Sequence, residues 1–270
     1  MTEIQDTNVK IFITIALSFM KGIVRLHTAR YAAGHLSLAH YEAAHADLEA
    51  ALAETPQSQG QLAVTLRKVT KDQIRALDYV RHISELVYAT TLFDTFLTDA
   101  TRFLFLLQPK SVGKNSAVSL EILLSSNSKS EAITDAVNRK VRELGHASFA
   151  ARIDTLRQTF GLKIQSSPNV LNIFNHYTTI RNVVIHDQAF YDISLTDAGL
   201  IAVERNSDVT PVEHDDVRSA ISAYTVVAHS IAEAVFMDVL HGERDKEAHR
   251  RMDSFRKYAS KQEAEILKPH

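Results

Sequence analysis

Apolar residues along this chain recur mostly at spacings of three and four, the repeat of one face of an α-helix. Over 8–36 the stripe Ile23, Leu26, Ala29, Ala33 and Leu36 predicts one or two helices. Ser37 can cap a further, alanine-rich helix over 38–53. Thr55-Pro56-Gln57-Ser58-Gln59-Gly60 breaks the pattern and predicts a loop. A second stripe opens with Leu62, Leu66 and Val69 and continues through Ile74, Leu77 and Val80. It leads into 86–107, which is apolar on most faces and so predicts a central helix buried by its neighbours. Pro109 stops it.

The second half is more punctuated. Residues 111–129 are mixed, with a short helix predicted over 117–124 and a loop over 125–128. Helices are predicted over 129–144 and 149–160, ended by Gly145 and Gly161 as C-caps. Gln165-Ser166-Ser167-Pro168 reads as a turn, with Ser167 as cap and Pro168 at the first position of a helix running to His186. Residues 190–194 and 200–204 alternate about Thr196-Asp197-Ala198-Gly199, a β-hairpin signal. Pro211 opens a last core helix with a regular stripe of Val217, Ile221, Tyr224, Val227, Ile231, Val235 and Val239, and Gly242 ends it. From 243 to 270 charges alternate in sign, which predicts a solvent-exposed helical tail; a partner-binding or oligomer-stabilising arm is the alternative. The fold class expected is all-α, with a small β-hairpin after the helix that ends at His186. Its divisions are an N-terminal helical extension (1–55), a main helical domain (61–241) and the charged tail (242–270).

Composition sharpens this picture in three places. The 270 residues suffice for a sizeable core without staples. A formal net charge of -2 provides no global basic field, so any nucleic-acid contact must come from a local patch. The chain has no cysteine, which excludes disulfides and thiolate metal sites and fits a reducing cytosol. A cytoplasmic location without membrane association is expected. The apolar run between Lys10 and Lys21 falls short of the roughly 20 residues of a membrane span. Its leader carries Glu3 and Asp6, unlike a signal peptide. A buried helix is the expectation there.

Candidate chemistry is sparse outside one stretch. Asp94, Asp99 and Arg102 are the polar exceptions in the apolar helix. Asp99 and Arg102 are spaced to form an ion pair, or one of them lines a site. Arg139, Lys140, Arg142, Arg152, Arg157 and Lys163 form a basic cluster, either a solvated helix face or a phosphate-binding surface. Thirteen histidines invite a metal reading, but His35, His40 and His45 are five apart, where ligands on a helix need spacings of three or four. No cofactor is expected. No phosphate-binding loop, dinucleotide fingerprint or nucleophile elbow is present.

The exception is 171–191, LNIFNHYTTIRNVVIHDQAFY. At about 100° per residue, Asn182 and His186 share a face, and the long stem of Arg181 can reach the same opening. These groups suit phosphodiester cleavage. A histidine moves protons near neutral pH. An arginine grips phosphate through parallel hydrogen bonds and stabilises added negative charge. An asparagine orients the imidazole or holds a phosphate oxygen. RNA brings its own nucleophile, the 2′-hydroxyl. One histidine per chain is thin for proton transfer in both directions; two copies facing each other would supply a second.

Ile180-Arg181-Asn182-Val183-Val184-Ile185-His186-Asp187 resembles the RNxxxH signature of the HEPN-domain ribonucleases. The apolar helix of 93–107, with Asp99 and Arg102, is similar to the central helix of several members, as is the helix of 217–239. The resemblance covers about 77–240 and leaves the N-terminal helices unmatched. It implies a HEPN-like helical bundle that forms a homodimer, with two motifs composing one RNA-cleaving site. It implies metal-independent cleavage that leaves a 2′,3′-cyclic phosphate. It assigns Arg181, Asn182 and His186 as the catalytic residues, RNA as substrate, and an antitoxin or anti-phage defence protein as partner. The alternative is a HEPN-like module that binds RNA or a protein without cutting. A third reading is a subunit of a larger defence complex, docked through the tail.

Overall fold

Eight glycines and five prolines leave few places for a helix to stop, and the chain is all-α. The computed structural model describes residues 3–53, 60–112, 128–186, 194–195, 201–202, 212–242 and 245–267. The short helix expected over 117–124 lies outside them.

Helix α1 (Glu3–Ala53) is unbroken over 51 residues, and α2 (Gly60–Leu107) over 48. The break expected at Ser37 is absent: no proline interrupts 3–53, and one serine costs a helix too little to stop it. The two helices run antiparallel, since Phe12 meets Phe103, Phe19 meets Phe96, and Arg30 pairs with Glu85. After α2 the chain turns through a 3-10 helix at Pro109–Val112.

Helix α3 (Lys129–Gly145) begins at Ser128, whose side chain accepts from the Glu131 backbone N–H. Its C-cap is His146 in right-handed geometry, so Gly145 is not the cap expected. Helix α4 (Phe149–Phe160) is capped by Ser148 and ends on Gly161 at φ 68°, the left-handed conformation that favours glycine. In α5 (Pro168–His186) Ser167 caps the start, its hydroxyl accepting from Val170 N–H at 3.4 Å. Two short strands, Ser194–Leu195 and Ile201–Ala202, pair antiparallel.

Helix α6 (His214–Ala234) begins in a capping box, with Glu213 N–H donating to Asp216 Oδ2 at 2.8 Å. It passes into a π-helical turn, Val235–Val239. His214–Val239 is long and apolar enough to cross a membrane, yet 83% of its most apolar window is buried inside the protein. The physical reason is that α6 is the central rod. It packs on α2, α5 and α7 (Lys246–Ile266).

One apolar core runs through α1, α2, α4, α5, α6 and α7, crossing all three segments separated in the sequence reading. Phe93 is its hub, with ring centroids 5.1 Å from Phe149, 5.1 Å from Phe174 and 5.5 Å from Tyr224. Helix α7 is not the solvent-exposed tail expected. Ala248, Met252, Phe255 and Ala259 are buried at helical spacing, and Phe255 touches Phe19. Its charges line the opposite face in ion pairs such as Arg251 with Glu247 at 2.7 Å.

Two polar clusters tie helices together. Arg152 of α4 is 3% exposed; it pairs with Asp94, donates to Thr98 Oγ1 at 2.8 Å and lies 5.6 Å over the Phe149 ring. At the base of the α1–α2 hairpin, Arg30 donates to Glu85 at 2.8 Å and to the His214 carbonyl at 3.1 Å, joining α1, α2 and α6.

Candidate functional site

The expected site sits on the last turns of α5. That helix buries Val170, Phe174 and Tyr177 against the core at spacings of four and three. The same period carries Thr178 and Arg181 past the N-terminal part of α6. Arg181 is half-buried and Asn182 is exposed. Arg181 Nη1 donates to Asn182 Oδ1 at 3.1 Å. The structure thus brings two of the three expected residues together. The helical backbone continues to His186, one turn after Asn182. The His186 side chain lies outside the described part of the molecule, as does most of the segment that follows.

Beneath Arg181 is a polar layer that the sequence reading missed. Tyr224 of α6 is fully buried. Its hydroxyl lies 3.1 Å from Thr90 Oγ1 of α2 and 3.4 Å from Thr178 Oγ1 of α5. Burial pushes the phenol pKa up, while the two threonine hydroxyls and the positive charge of Arg181 pull it back in part. Arg181 Nε is buried with no hydrogen-bond partner among the described residues. One turn earlier, Tyr177 donates to Asp216 Oδ1 at 2.8 Å; burial and that carboxylate raise its pKa. The available signal was the presence of hydroxyl residues within apolar stripes: Thr90 in α2 and Tyr224 in α6.

The other candidates lie elsewhere. Arg102 pairs with Asp99 at 3.0 Å and reaches Asn138 of α3 at 3.3 Å, so this pair fastens α2 to α3. Asp94 is engaged by Arg152. The basic cluster is largely occupied within the protein. Lys140 lies 3.4 Å and Arg139 3.8 Å from Glu143, and Arg157 pairs with Asp154 at 3.1 Å. Buried Arg152 is unavailable to a phosphate. Among the described residues, no three histidine or carboxylate side chains converge as metal ligands would.

The arrangement is a guanidinium held on its outer side by an amide, at the end of a well-packed helix. Such a group binds a phosphate or another oxyanion with defined orientation. No family model, curated protein or solved structure matches the chain.

Proposed function

We propose that this chain is a metal-independent endoribonuclease with a HEPN-like helical bundle, acting as a homodimer. Two copies of Arg181, Asn182 and His186 would compose one site. The observation that carries the reading is the Arg181–Asn182 pair, 3.1 Å apart on the helix whose backbone leads to His186. In the step proposed, one His186 takes the proton of the RNA 2′-hydroxyl. The 2′-oxygen attacks the adjacent phosphorus, and the bond to the 5′-oxygen breaks. The second copy's His186 gives a proton to that leaving oxygen. Arg181 stabilises the charge gathering on the phosphate, and a 2′,3′-cyclic phosphate results. The role would be that of a toxin with an antitoxin partner, or of an anti-phage effector, in the cytoplasm. The strand pair after α5 would be an elaboration of the bundle, and α1 an N-terminal addition to it.

The test is His186→Ala in the full chain, assayed on RNA with and without excess chelator. Cleavage should be lost in the variant while helicity and oligomeric state stay those of the parent. Parent activity should survive the chelator. Full cleavage by the variant overturns the proposal. RNA that is bound but never cut would favour the non-catalytic module.

A further inference from the structure

Helix α5 contains a single residue of fixed charge, Arg181. At about 100° per residue Arg181 starts on the inward side, in line with Val170, Phe174 and Tyr177. The open side is neutral. Past the first turn its exposed residues are Asn172, Asn175, His176, Thr179 and Asn182, and the backbone carries the same line on to His186. The His176 ring lies 5.0 Å from the Tyr177 ring, nearly edge-on. Thr179 Oγ1 donates to the Asn175 carbonyl at 3.0 Å, so its proton is taken up within the helix. The open faces of α3 and α7 are built differently, from lysine, arginine and glutamate in ion pairs such as Arg139 with Glu143 and Arg250 with Glu247. Asparagine and threonine form helices less well than those residues. A face that only had to be wet has no need of them.

We infer that the open face of α5 is a base-reading subsite for single-stranded RNA. Asn172, Asn175 and His176 hold the unpaired nucleotides that neighbour the bond cut at Arg181, Asn182 and His186. An asparagine amide meets the N6 and N7 edge of adenine through two hydrogen bonds, and an exposed imidazole stacks on a base. Phosphate is drawn by cations, and the stripe has none. A protein partner is anchored mainly by tryptophan, tyrosine and arginine, and the stripe offers none of these. In duplex RNA the reading edge lies in a deep, narrow groove that side chains do not enter, so the strand is unpaired. From Asn172 to Asn182 the stripe runs about 15 Å at the helical rise, room for a few stacked bases. The inference rests on the nuclease proposal for the place of the cut, not for the binding.

The test is binding of the full chain to short single strands of adenylate, cytidylate or uridylate with 2′-O-methyl sugars, whose blocked 2′-oxygen cannot attack the phosphate. The parent should bind the adenylate strand most tightly. Asn172→Ala and Asn175→Ala should each weaken that binding about tenfold, the scale of one paired contact to a base, and change the other strands little. The slope of log affinity against log salt should stay that of the parent, since no phosphate contact is lost. Alanine favours the helix, so circular dichroism should be unchanged. Equal affinity of the parent for every strand, an equal loss across strands in the variants, or an altered salt slope overturns the inference. Variants that change the oligomeric state and keep the base preference make this face a contact between copies, which also overturns it. An adenine preference that the variants lose, in a parent that cuts no unmodified RNA, keeps the subsite and removes the nuclease reading.

Discussion

The Arg152–Asp94 pair predicts that removing its more exposed member costs more stability than removing its buried one. The Arg152 side chain is 4% exposed and that of Asp94 is 46% exposed. Replacing Asp94 by alanine leaves a cation in the core with Thr98 and the Phe149 ring as its remaining partners. An uncompensated buried charge costs about 3–5 kcal/mol. Replacing Arg152 by methionine keeps the apolar stem, and the abandoned carboxylate reaches water. Apolar replacement of a buried ion often falls within about 1 kcal/mol of neutral. At roughly 2–4 °C per kcal/mol for a chain of this size, Asp94→Ala should lower Tm by about 10 °C and Arg152→Met by no more than about 4 °C. Urea unfolding of both variants and of the double variant measures the difference, and the double variant should resemble Arg152→Met. Equal losses, or a larger loss for Arg152→Met, would refute the reasoning. The pair would then be stabilising through its own attraction rather than by neutralising a trapped cation.

Three other predictions concern the core and its ionisation. A Cβ on Gly242 would lie 2.1 Å from a ring carbon of buried Phe236, so Gly242→Ala should cost about 1–3 kcal/mol, read by urea unfolding. Phe93→Ala removes the hub of the aromatic core and should cost about 3–5 kcal/mol in the same assay, with packing of α2, α5 and α6 loosened together. His27, His214 and His229 all have pKa values lowered, chiefly by burial, so the fold prefers their neutral forms. Below the ordinary imidazole value of about 6.5 the unfolded chain binds more protons, so stability should be full above that pH and fall as pH drops through it. His229→Gln should flatten that slope in unfolding free energy between pH 7 and 5; an unchanged slope would remove His229 as a contributor.

Much of the helical architecture was legible because its signals are local. Ser167 and Gly161 announce helix ends through their own chemistry. What stayed hidden depends on partners far apart in sequence. Arg152 read as one more basic surface residue until its partner, 58 positions earlier, removed it from solvent. The buried stripe of α7 was masked by the ion pairs of its other face, which dominate the composition of 243–270. The motif residues were legible as candidates from their spacing and their resemblance. The layer beneath them was not, since Thr90, Thr178 and Tyr224 become a unit only when three helices meet.

The length of α1 and α2 has a mechanical meaning. Arg30, with Glu85 and the His214 carbonyl, fixes the hairpin to the start of α6. Beyond Arg30, α1 continues for about 35 Å at the usual helical rise. Were that part to tilt as a rigid rod, the Arg30 cluster would be its pivot. A tilt of about 10° there would sweep the far end through about 6 Å on an arm built at that rise. That pivot includes the first turn of α6, the same helix that carries Tyr224 to the floor of the candidate site.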